Sequence, residues 1–317
     1  MGDVNSCYGR CFYSDIGKKE YEGQMCDGKR WGRGTQYDRN EKTVFDGEWM
    51  DDDRLQSALV FSAASQLLHN HIEELTFSAN CCNEPDLKEV SFSCFTHVRT
   101  LTIRDNSFKH PKRVVFQQMN CLESITVGRN CFKETEKGFD KLERAFVCSD
   151  NPSLKSIHVG CFSFPEFSQC VIHNLPCLEE IRFGEGSDHA LCFYWSDCVL
   201  RDLPSLRSVS LGPYCFYSSR HTVFENLPLL TSIRLGRYAL LGENHPSCDL
   251  TLRNLPSLQS LVGEDASFYF PRTLIAENLP NLTTVNLPEA FQHVRSRRCT
   301  NAKAFDSPSC VLLSPVS

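Results

Sequence analysis

Residues 174–183 read Asn-Leu-Pro-Cys-Leu-Glu-Glu-Ile-Arg-Phe, and altered copies of this stretch return along the chain. The Asn-Leu-Pro corner, with Asp replacing Asn once, begins again at four later positions: Asp202, Asn226, Asn254 and Asn278. A fixed period of this kind is typical of a fold built from stacked units. Because a unit this short cannot bury its own apolar side chains, each unit must be covered by its neighbours. The sequence therefore predicts a solenoid.

Each corner is followed by a short alternating segment of the form Leu-x-x-Φ-x-Φ, where Φ is apolar, as in Leu178, Ile181 and Phe183. Alternation with a period of two indicates a β-strand with one buried face. The pattern predicts ten units, whose leading residues are Ile72, Leu87, Val98, Leu122, Leu154, Leu178, Leu206, Leu230, Leu258 and Leu282. From Leu154 onward these residues are spaced by 24, 28, 24, 28 and 24, so we expect two coil lengths that differ in a loop.

A second pair of β-favouring residues precedes each corner, for example Val171-Ile172 and Val223-Phe224. Each coil is therefore predicted to run through a strand, a corner, a second strand and a variable loop. Proline lacks an amide hydrogen and ends the ladder at the corner. The leucine before the proline should point inward, and the Asn or Asp side chain should bond nearby backbone amides.

The 18 cysteines of the chain are interpreted as structural. Four residues beyond the last strand position comes a small residue, which is Cys in some units and Ser or Ala in others: Cys81, Ser107, Cys131, Ser187, Cys215, Ala239 and Ser267. A position that accepts Cys, Ser and Ala alike requires a small volume and not reactivity. Because no secretory signal follows the first methionine, this many cysteines also predicts a reducing compartment.

The repeated pattern resembles leucine-rich repeats, in particular the BspA-like variety with units of the form Asn-Leu-Pro-x-Leu-x-x-Ile-x-Leu. The resemblance extends over residues 67–291 and is most specific over residues 154–291. It implies a solenoid with a parallel sheet along one face and a protein that binds other proteins. Ten strands at the usual spacing would make a sheet about 45 Å long.

The N-terminal part uses glycine and aromatic residues in place of leucine. Residues 21–37 read Tyr-x-Gly-x-x-x-Asp-Gly-x-x-x-Gly-x-Gly-x-x-Tyr, and Phe-Asp-Gly-Glu-Trp restarts the pattern at residues 45–49. An Asp-Gly pair between short strands predicts a hairpin turn. Gly32 and Gly34 leave room for an aromatic ring such as that of Tyr21 to pack on the backbone. This stretch resembles the MORN repeat, which implies a β-hairpin ribbon used in assembly, with lipid binding proposed for some members.

The sequence therefore predicts a mainly β protein with four parts. Residues 1–53 would form a hairpin ribbon with one full and two partial repeats, and residues 54–66 a connector or cap. Residues 67–291 would form the leucine-rich solenoid, and residues 292–317 a basic, poorly ordered tail. Asp51–Asp53 would cap a short helix in the connector.

Composition excludes several classes of function. The net charge of −6 argues against nucleic-acid binding, which needs a basic surface. No apolar run approaches the roughly 18 residues of a membrane span. The sequence contains no phosphate-binding loop, no metal-binding motif and no nucleophile motif. We therefore expect no enzyme activity, no catalytic residue, no cofactor and no metal site.

The candidate binding surface is the outward row of the solenoid strands, which lies between the two apolar positions of each unit. The residues proposed as the partner-binding face are His158, Arg182, Ser210, Arg234 and Asn286. Arginine is favoured at protein interfaces because its planar fork donates several hydrogen bonds. We therefore predict a cytoplasmic, non-enzymatic scaffold or adaptor that binds a protein partner through this face.

Two alternatives stay open. The chain would be a membrane-peripheral scaffold if basic residues of 1–53 contacted anionic lipid weakly, or if Gly2 in the pattern Met-Gly-x-x-x-Ser were acylated. It would be a regulatory or substrate-receptor subunit of an enzyme if the catalytic partner were another chain. Association with the cytoskeleton is also compatible with the sequence.

Overall fold

The computed structural model describes the following residues of the chain: 6–55, 57–62, 68, 71–133 and 142–305. The Gly2 acylation pattern begins outside these residues. Over the described part the protein is almost entirely β, with one short 3-10 helix. The chain divides into two compact units, which are Met1–Leu59 with Leu68–Glu74, and Val60–Leu67 with Leu75–Ser317.

The first unit is an antiparallel sheet in which each strand pairs with the next one along the chain. Its strands are β1 (Ser6–Phe12), β2 (Lys19–Cys26), β3 (Lys29–Tyr37), β4 (Thr43–Met50) and β5 (Asp53–Leu55). The predicted turn at Asp27-Gly28 is confirmed, since the two residues have φ values of 48° and 80°, as a type I′ hairpin turn requires. This sheet fits the hairpin ribbon that the resemblance to MORN repeats implies.

Aromatic rings pack on glycine backbone in this sheet, as the sequence predicted for Gly34. A Cβ added at Gly34 would lie 2.1 Å from the Tyr21 hydroxyl oxygen. Tyr21 and Trp49 are both buried and meet edge to face with ring centroids 5.3 Å apart. The indole Nε1 of Trp49 donates a hydrogen bond of 2.9 Å to the Gly34 carbonyl oxygen. Gly32 differs, because its φ of 71° is left-handed, a conformation that glycine adopts readily, and a Cβ added there would meet the Gln24 side chain and not an aromatic ring.

The second unit is a parallel β-solenoid of about 9 turns. A ten-stranded sheet, which we call the front sheet, runs along one side. Its strands are β6 (Ala58–Phe61), β7 (Glu74–Phe77), β9 (Thr100–Ile103), β11 (Ser124–Val127), β13 (Ser156–Val159), β15 (Glu180–Phe183), β17 (Ser208–Leu211), β19 (Ser232–Leu235), β21 (Ser260–Gly263) and β23 (Thr284–Asn286).

The intervening strands form two further sheets, which together we call the back sheets. One contains β8 (Glu89–Ser91), β10 (Arg113–Gln117), β12 (Leu142–Ser149) and β14 (Phe167–His173). The other contains β16 (Cys198–Arg201), β18 (His221–Glu225), β20 (Asp249–Arg253), β22 (Thr273–Glu277) and β24 (Ser296–Thr300). The 3-10 helix Lys303–Phe305 follows β24.

The corner leucines point inward, as predicted, and each is at most 1% exposed: Leu175, Leu203, Leu227, Leu255 and Leu279. The corner Asn and Asp side chains behave differently from the prediction, because they bond to each other from coil to coil. The Nδ2 of Asn254 donates to the Oδ1 of Asn226 at 2.8 Å, and Asn301 donates to Asn278 at 3.0 Å. The corner residues have positive φ values, a conformation that Asn and Asp tolerate better than most residues.

A column of phenylalanines fills the core beside the loops. Phe108, Phe132, Phe164, Phe193 and Phe216 stack in succession, with centroid distances between 4.5 and 5.4 Å. All five have φ values between 51° and 60°, which is unusual for a bulky residue. The repeated strained backbone is held by this packing, because the three inner rings, Phe132, Phe164 and Phe193, each stack between rings of the two adjacent coils.

The unit led by Leu87 was assigned wrongly. Its strand is β8, and Val90 pairs with Val114 of β10 in a back sheet. The physical reason lies in the spacing, since the steps of 15 and 11 around Leu87 together make one coil. The front sheet therefore carries nine of the ten predicted units, and Leu87 leads the second strand of the coil that starts at Ile72.

Two further expectations need correction. The described residues of the predicted connector, which are 54, 55 and 57–62, contain no helix. Asp51 and Asp52 have φ values of 54° and 71° and make a hairpin turn before β5, while residues 63–66 lie outside the described part of the chain. The segment 292–317 is not a disordered tail over its described part, because β24 pairs with β22. Two contacts hold this extra strand. Asn301 extends the series of hydrogen bonds between corner side chains, which we call the corner ladder, and Arg298 lies 2.7 Å from Glu277.

Strand β12 was missed because its corner lacks the leucine. Asn151 takes the leucine position and is fully buried. Its Nδ2 donates to the Phe116 carbonyl oxygen at 2.9 Å, and its Oδ1 accepts the Met119 amide at 2.9 Å. A buried amide with both ends satisfied can replace an apolar residue without the usual cost of burying a polar group.

The small-residue position is structural, as the exchange of Cys, Ser and Ala predicted. The Cys131 thiol donates to the Arg104 carbonyl oxygen at 3.2 Å, and the Ser267 hydroxyl donates to Gly236 at 3.3 Å. In the coil that contains β15 and β16 this position is held by Cys192, whose thiol lies 3.3 Å from the Gly160 carbonyl oxygen. Ser187 was therefore the wrong residue, because the loop before Cys192 contains additional residues.

Replacing Phe164 tests the phenylalanine column. The change Phe164→Ala should lower the free energy of unfolding of the solenoid by about 3–5 kcal/mol, because it removes a fully buried ring and leaves a cavity. Phe164→Leu should cost about 1 kcal/mol, since a volume-conserving apolar swap is tolerated and Leu240 has a similar left-handed backbone in its own coil. Urea unfolding followed by circular dichroism measures both. Equal losses of unfolding free energy in the two variants would show that the volume of the buried ring does not stabilise the solenoid.

Candidate functional site

The predicted binding residues lie in one row on the front sheet. The strand register pairs His158 with Arg182, Arg182 with Ser210, and Ser210 with Arg234. The next positions are Val262 and then Asn286. Val262 was not predicted, because its unit has a weak pattern that ends in Gly263. The row therefore contains an apolar member between Arg234 and Asn286.

The N-terminal half of this row is an ion-pair cluster centred on Glu180. Its carboxylate lies 2.6 Å from the Arg182 Nη2 and 3.3 Å from the His158 Nε2. The Ser208 hydroxyl donates to it at 3.3 Å. Sequence inspection found no carboxylate partner for His158, because Glu180 belongs to the next coil and comes close only through strand pairing.

Burial raises the pKa of Glu180, but the hydrogen bonds from Arg182 and His158 outweigh it, so the pKa lies below its usual value. The pKa of Arg182 is raised by the hydrogen bond to Glu180. Glu180 and Arg182 therefore stay charged at neutral pH, and the arginine is already engaged by a carboxylate.

Arg234 has a different environment. Its guanidinium makes no hydrogen bond or ion pair with any residue that the structure describes. It lies in an open depression of about 820 Å³ at the ends of β17, β19 and β21. The depression is also lined by Ser210 and Val262 and by three acidic residues, which are Glu185, Asp188 and Glu264. Arg234 is thus an exposed donor with unused hydrogen-bonding capacity among polar and apolar neighbours.

Ser91 is the residue between the two apolar strand positions of the Leu87 unit, but it lies with Glu89 on β8 in a back sheet and does not belong to the front row. Glu89 there lies 3.1 Å from Arg113 on the neighbouring strand. The front row upstream of His158 consists instead of threonines, since Thr126 pairs with His158 and with Thr102. The ionisable side chains of the row therefore begin at His158.

The back of the solenoid contains a second candidate site. No ladder joins β14 to β16, so the back sheets are separated at this point although the front sheet continues. A groove of about 660 Å³ lies between these two strands. Its charged residues are engaged elsewhere: Asp197 accepts the Arg220 and His221 amides, and Arg201 lies 2.7 Å from Glu225.

The corner ladder is interrupted at the same place. Asn174 donates to Asp150, and Asn226 donates to the Asp202 Oδ1 at 2.8 Å. The carboxylate of Asp202 has no hydrogen to give to Asn174. Each of the two ladders therefore begins on an aspartate, and the break between them coincides with the break in the back sheets.

The basic residues of the first unit are largely paired. Arg30 lies 2.8 Å from Glu20, Arg39 lies 2.6 Å from Asp15, and Lys29 forms an ion pair with Asp51. Surface pairs of this kind add little stability, but they neutralise charge that would otherwise attract an anionic surface.

Comparisons of the chain with protein-family models, with curated proteins and with solved structures found no match. Within the described residues, none of the helical structure reaches the length and apolar character of a membrane span.

Replacing Asp202 by Asn should repair the interrupted ladder. The new amide can donate toward Asn174 while its oxygen still accepts Asn226, so we expect the free energy of unfolding to rise by up to about 1 kcal/mol. Thermal unfolding at pH 7 measures the effect. Asp150→Asn is the matched control and should be destabilising, because the pKa of Asp150 is lowered by hydrogen bonds from Asn174 and Gln117 to its charged form. A stability change of the same sign in both variants would contradict the ladder interpretation.

Removing the charge of Glu180 should weaken the solenoid in a pH-dependent way. Because the folded protein lowers the pKa of this group, its stabilising effect is present above the ordinary value of 4.5 and is lost as the pH falls through the folded value. Glu180→Gln should therefore be less stable than the parent at pH 7, by less than about 1 kcal/mol, and the difference should shrink toward pH 3. Urea unfolding at several pH values measures it, and a constant difference would contradict the assignment.

Proposed function

We propose that this protein is a non-enzymatic scaffold or adaptor that binds a protein partner along the front sheet, over the row from His158 to Asn286. The observation that carries the proposal is Arg234, an exposed guanidinium without a partner among the described residues, at the centre of a regular row. Unused arginine donors on a surface are the groups that gain most from a partner, because each new bond replaces only water.

The surroundings of Arg234 support a protein as the ligand. Val262 provides an apolar contact next to it, and the hydroxyls of Ser210 and Ser260 line the same depression. Alternating arginine, hydroxyl and apolar groups on a rigid sheet suit an extended surface of a partner better than a small molecule. The depression is open, and Gly212, Gly236 and Gly263 line it. Because glycines have no side chain, a partner backbone can approach closely there.

The proposal includes three finer assignments. The solenoid would belong to the BspA-like leucine-rich repeats and the first unit to the MORN repeats. The protein would act in the cytoplasm, where its many free cysteines stay reduced. The membrane-peripheral alternative has less support, because the ion pairs of Arg30, Arg39 and Lys29 reduce the charge available to lipid. As a regulatory or substrate-receptor subunit the protein would use the same face.

Site-specific photo-crosslinking tests the front face. A benzoylphenylalanine at Ser210 should capture a defined partner in cell extract, whereas the same probe at Thr251, an outward position of β20 in the back sheets, should not. Adding Arg234→Glu to the Ser210 probe should reduce capture at least tenfold, because it places a carboxylate where a donor is needed. Arg234→Glu should leave the melting temperature unchanged, since no described residue bonds to that side chain.

The matched control is Arg295→Glu, which makes the same charge change at an exposed position of the solenoid outside the row. It should leave capture from Ser210 intact. Equal capture from the Ser210 and Thr251 probes, or capture that is insensitive to Arg234→Glu, would show that the front face is not the docking surface.

A further inference from the structure

The edge strand β1 has features that no part of the proposed solenoid function uses. It stands at the end of the antiparallel sheet, and among the described residues no strand pairs with its outer edge. It also carries Tyr8 and Phe12, which are 70% and 55% exposed and are the two most exposed large hydrophobic side chains of the described chain. Exposed strand edges with apolar side chains are templates for pairing with another chain.

The sequence of β1 would place complementary side chains opposite each other if two copies of the strand paired in the antiparallel sense. Residues 6–12 read Ser-Cys-Tyr-Gly-Arg-Cys-Phe. If two copies pair in the antiparallel sense with a two-fold axis at Gly9, Cys7 of each copy faces Cys11 of the other. Tyr8 of each copy then faces Arg10 of the other, on the opposite side of the sheet. Such a pairing is isologous, so every contact is made twice.

We propose that β1 is a homodimerisation edge and that its occupant is β1 of a second copy of this chain. The two five-stranded sheets would then join into one antiparallel sheet across the two-fold axis. Complementarity argues for this occupant in particular, because arginine over a tyrosine ring is an attractive pair and cysteine opposite cysteine is small and apolar on both sides.

The side chains already have the orientation that the pairing needs. Arg10 pairs in register with Glu22, and Tyr8 with Gln24, so Tyr8 and Arg10 share one face of the sheet. The Nε of Arg10 lies 2.7 Å from Glu22 and its side chain is 62% exposed, which leaves the face of the guanidinium available to a tyrosine ring. Cys7 and Cys11 share the other face. Gly9 between them has no side chain of its own, and the Met25 side chain of β2 packs over it.

The expected dimer is weak. Pairing of seven-residue edges buries less than the roughly 1,200 Å² of a standard interface, so a dissociation constant in the micromolar range is expected. In sedimentation velocity at about 100 µM, the full chain should show a species with twice the 36.1-kDa chain mass. A single monomeric species at that concentration would overturn the proposal.

Charge changes at Tyr8 distinguish this register from general stickiness of an exposed ring. Tyr8→Glu should preserve the dimer, because the carboxylate faces Arg10 of the other copy. Tyr8→Lys should shift the dissociation constant upward at least tenfold, because it places two like charges opposite each other. Tyr8 is highly exposed, so neither change should disturb the fold, and equal loss of dimer in both variants would overturn the register.

Cysteine cross-linking provides the second readout. Within one chain Cys7 and Cys11 lie about 13 Å apart along the strand, too far for a disulfide, which needs Cα atoms within about 7 Å. A Cys7–Cys11 bridge found by peptide mapping must therefore join two copies. Diamide supplies the oxidant: the two thiols lose two hydrogens, one S–S bond forms, and the diamide is reduced to its hydrazine.

The register predicts which variants form the bridge. Cys11→Ser alone should give no Cys7–Cys7 bridge, since these residues would be about 13 Å apart in the dimer. Cys7→Ser alone should likewise give no Cys11–Cys11 bridge. A mixture of the two variants should form one Cys7–Cys11 bridge per heterodimer. Bridges between identical positions that are as abundant as Cys7–Cys11 bridges would overturn the proposed pairing.

Discussion

Lateral contact between successive coils is the constraint on which the solenoid depends, because no coil covers its own inward side chains. Three arrays make this contact at once. The front strands pair in parallel register, the corner residues from Asp202 to Asn301 pass amide hydrogen bonds from coil to coil, and the phenylalanines from Phe108 to Phe216 stack face to face. A slip of one residue would turn the apolar strand positions outward and break all three arrays, so each array fixes the register of the others.

The arrays also explain which elements the sequence could predict. Where a corner has the sequence Asn-Leu-Pro, local information identifies it, since the proline, the inward leucine and the left-handed Asn occupy adjacent positions. The corners at Asp150-Asn151 and at Asn301 lack that sequence. Asn151 takes the place of the inward leucine, whereas Asn301 takes the place of the left-handed Asn. Asn151 is acceptable only because the Phe116 carbonyl and the Met119 amide of the preceding coil satisfy it, and such a partner cannot be seen in a local pattern.

The candidate binding row illustrates the same limit. Alternation places His158, Arg182 and Arg234 on one outward row, and strand pairing confirms that placement. Alternation does not distinguish the two arginines from each other. Arg182 is held by Glu180, which lies two residues earlier on the same strand, whereas Arg234 has serine at the corresponding place in Ser232. Which arginine is available to a partner thus depends on one acidic side chain.

The break between β14 and β16 bears on how a partner bound to the front row would affect the stability of the solenoid. Across this break the back sheets and the corner ladder are both interrupted, so the adjoining coils are held by the front ladder between β15 and β17 and by core contacts such as the Phe164–Phe193 stack. Arg182 lies on one side of this junction, and Ser210 and Arg234 lie on the other. A partner bound to both sides would add lateral contacts at a point where the back sheets and the corner ladder are interrupted, so binding and stability of this region would be thermodynamically linked.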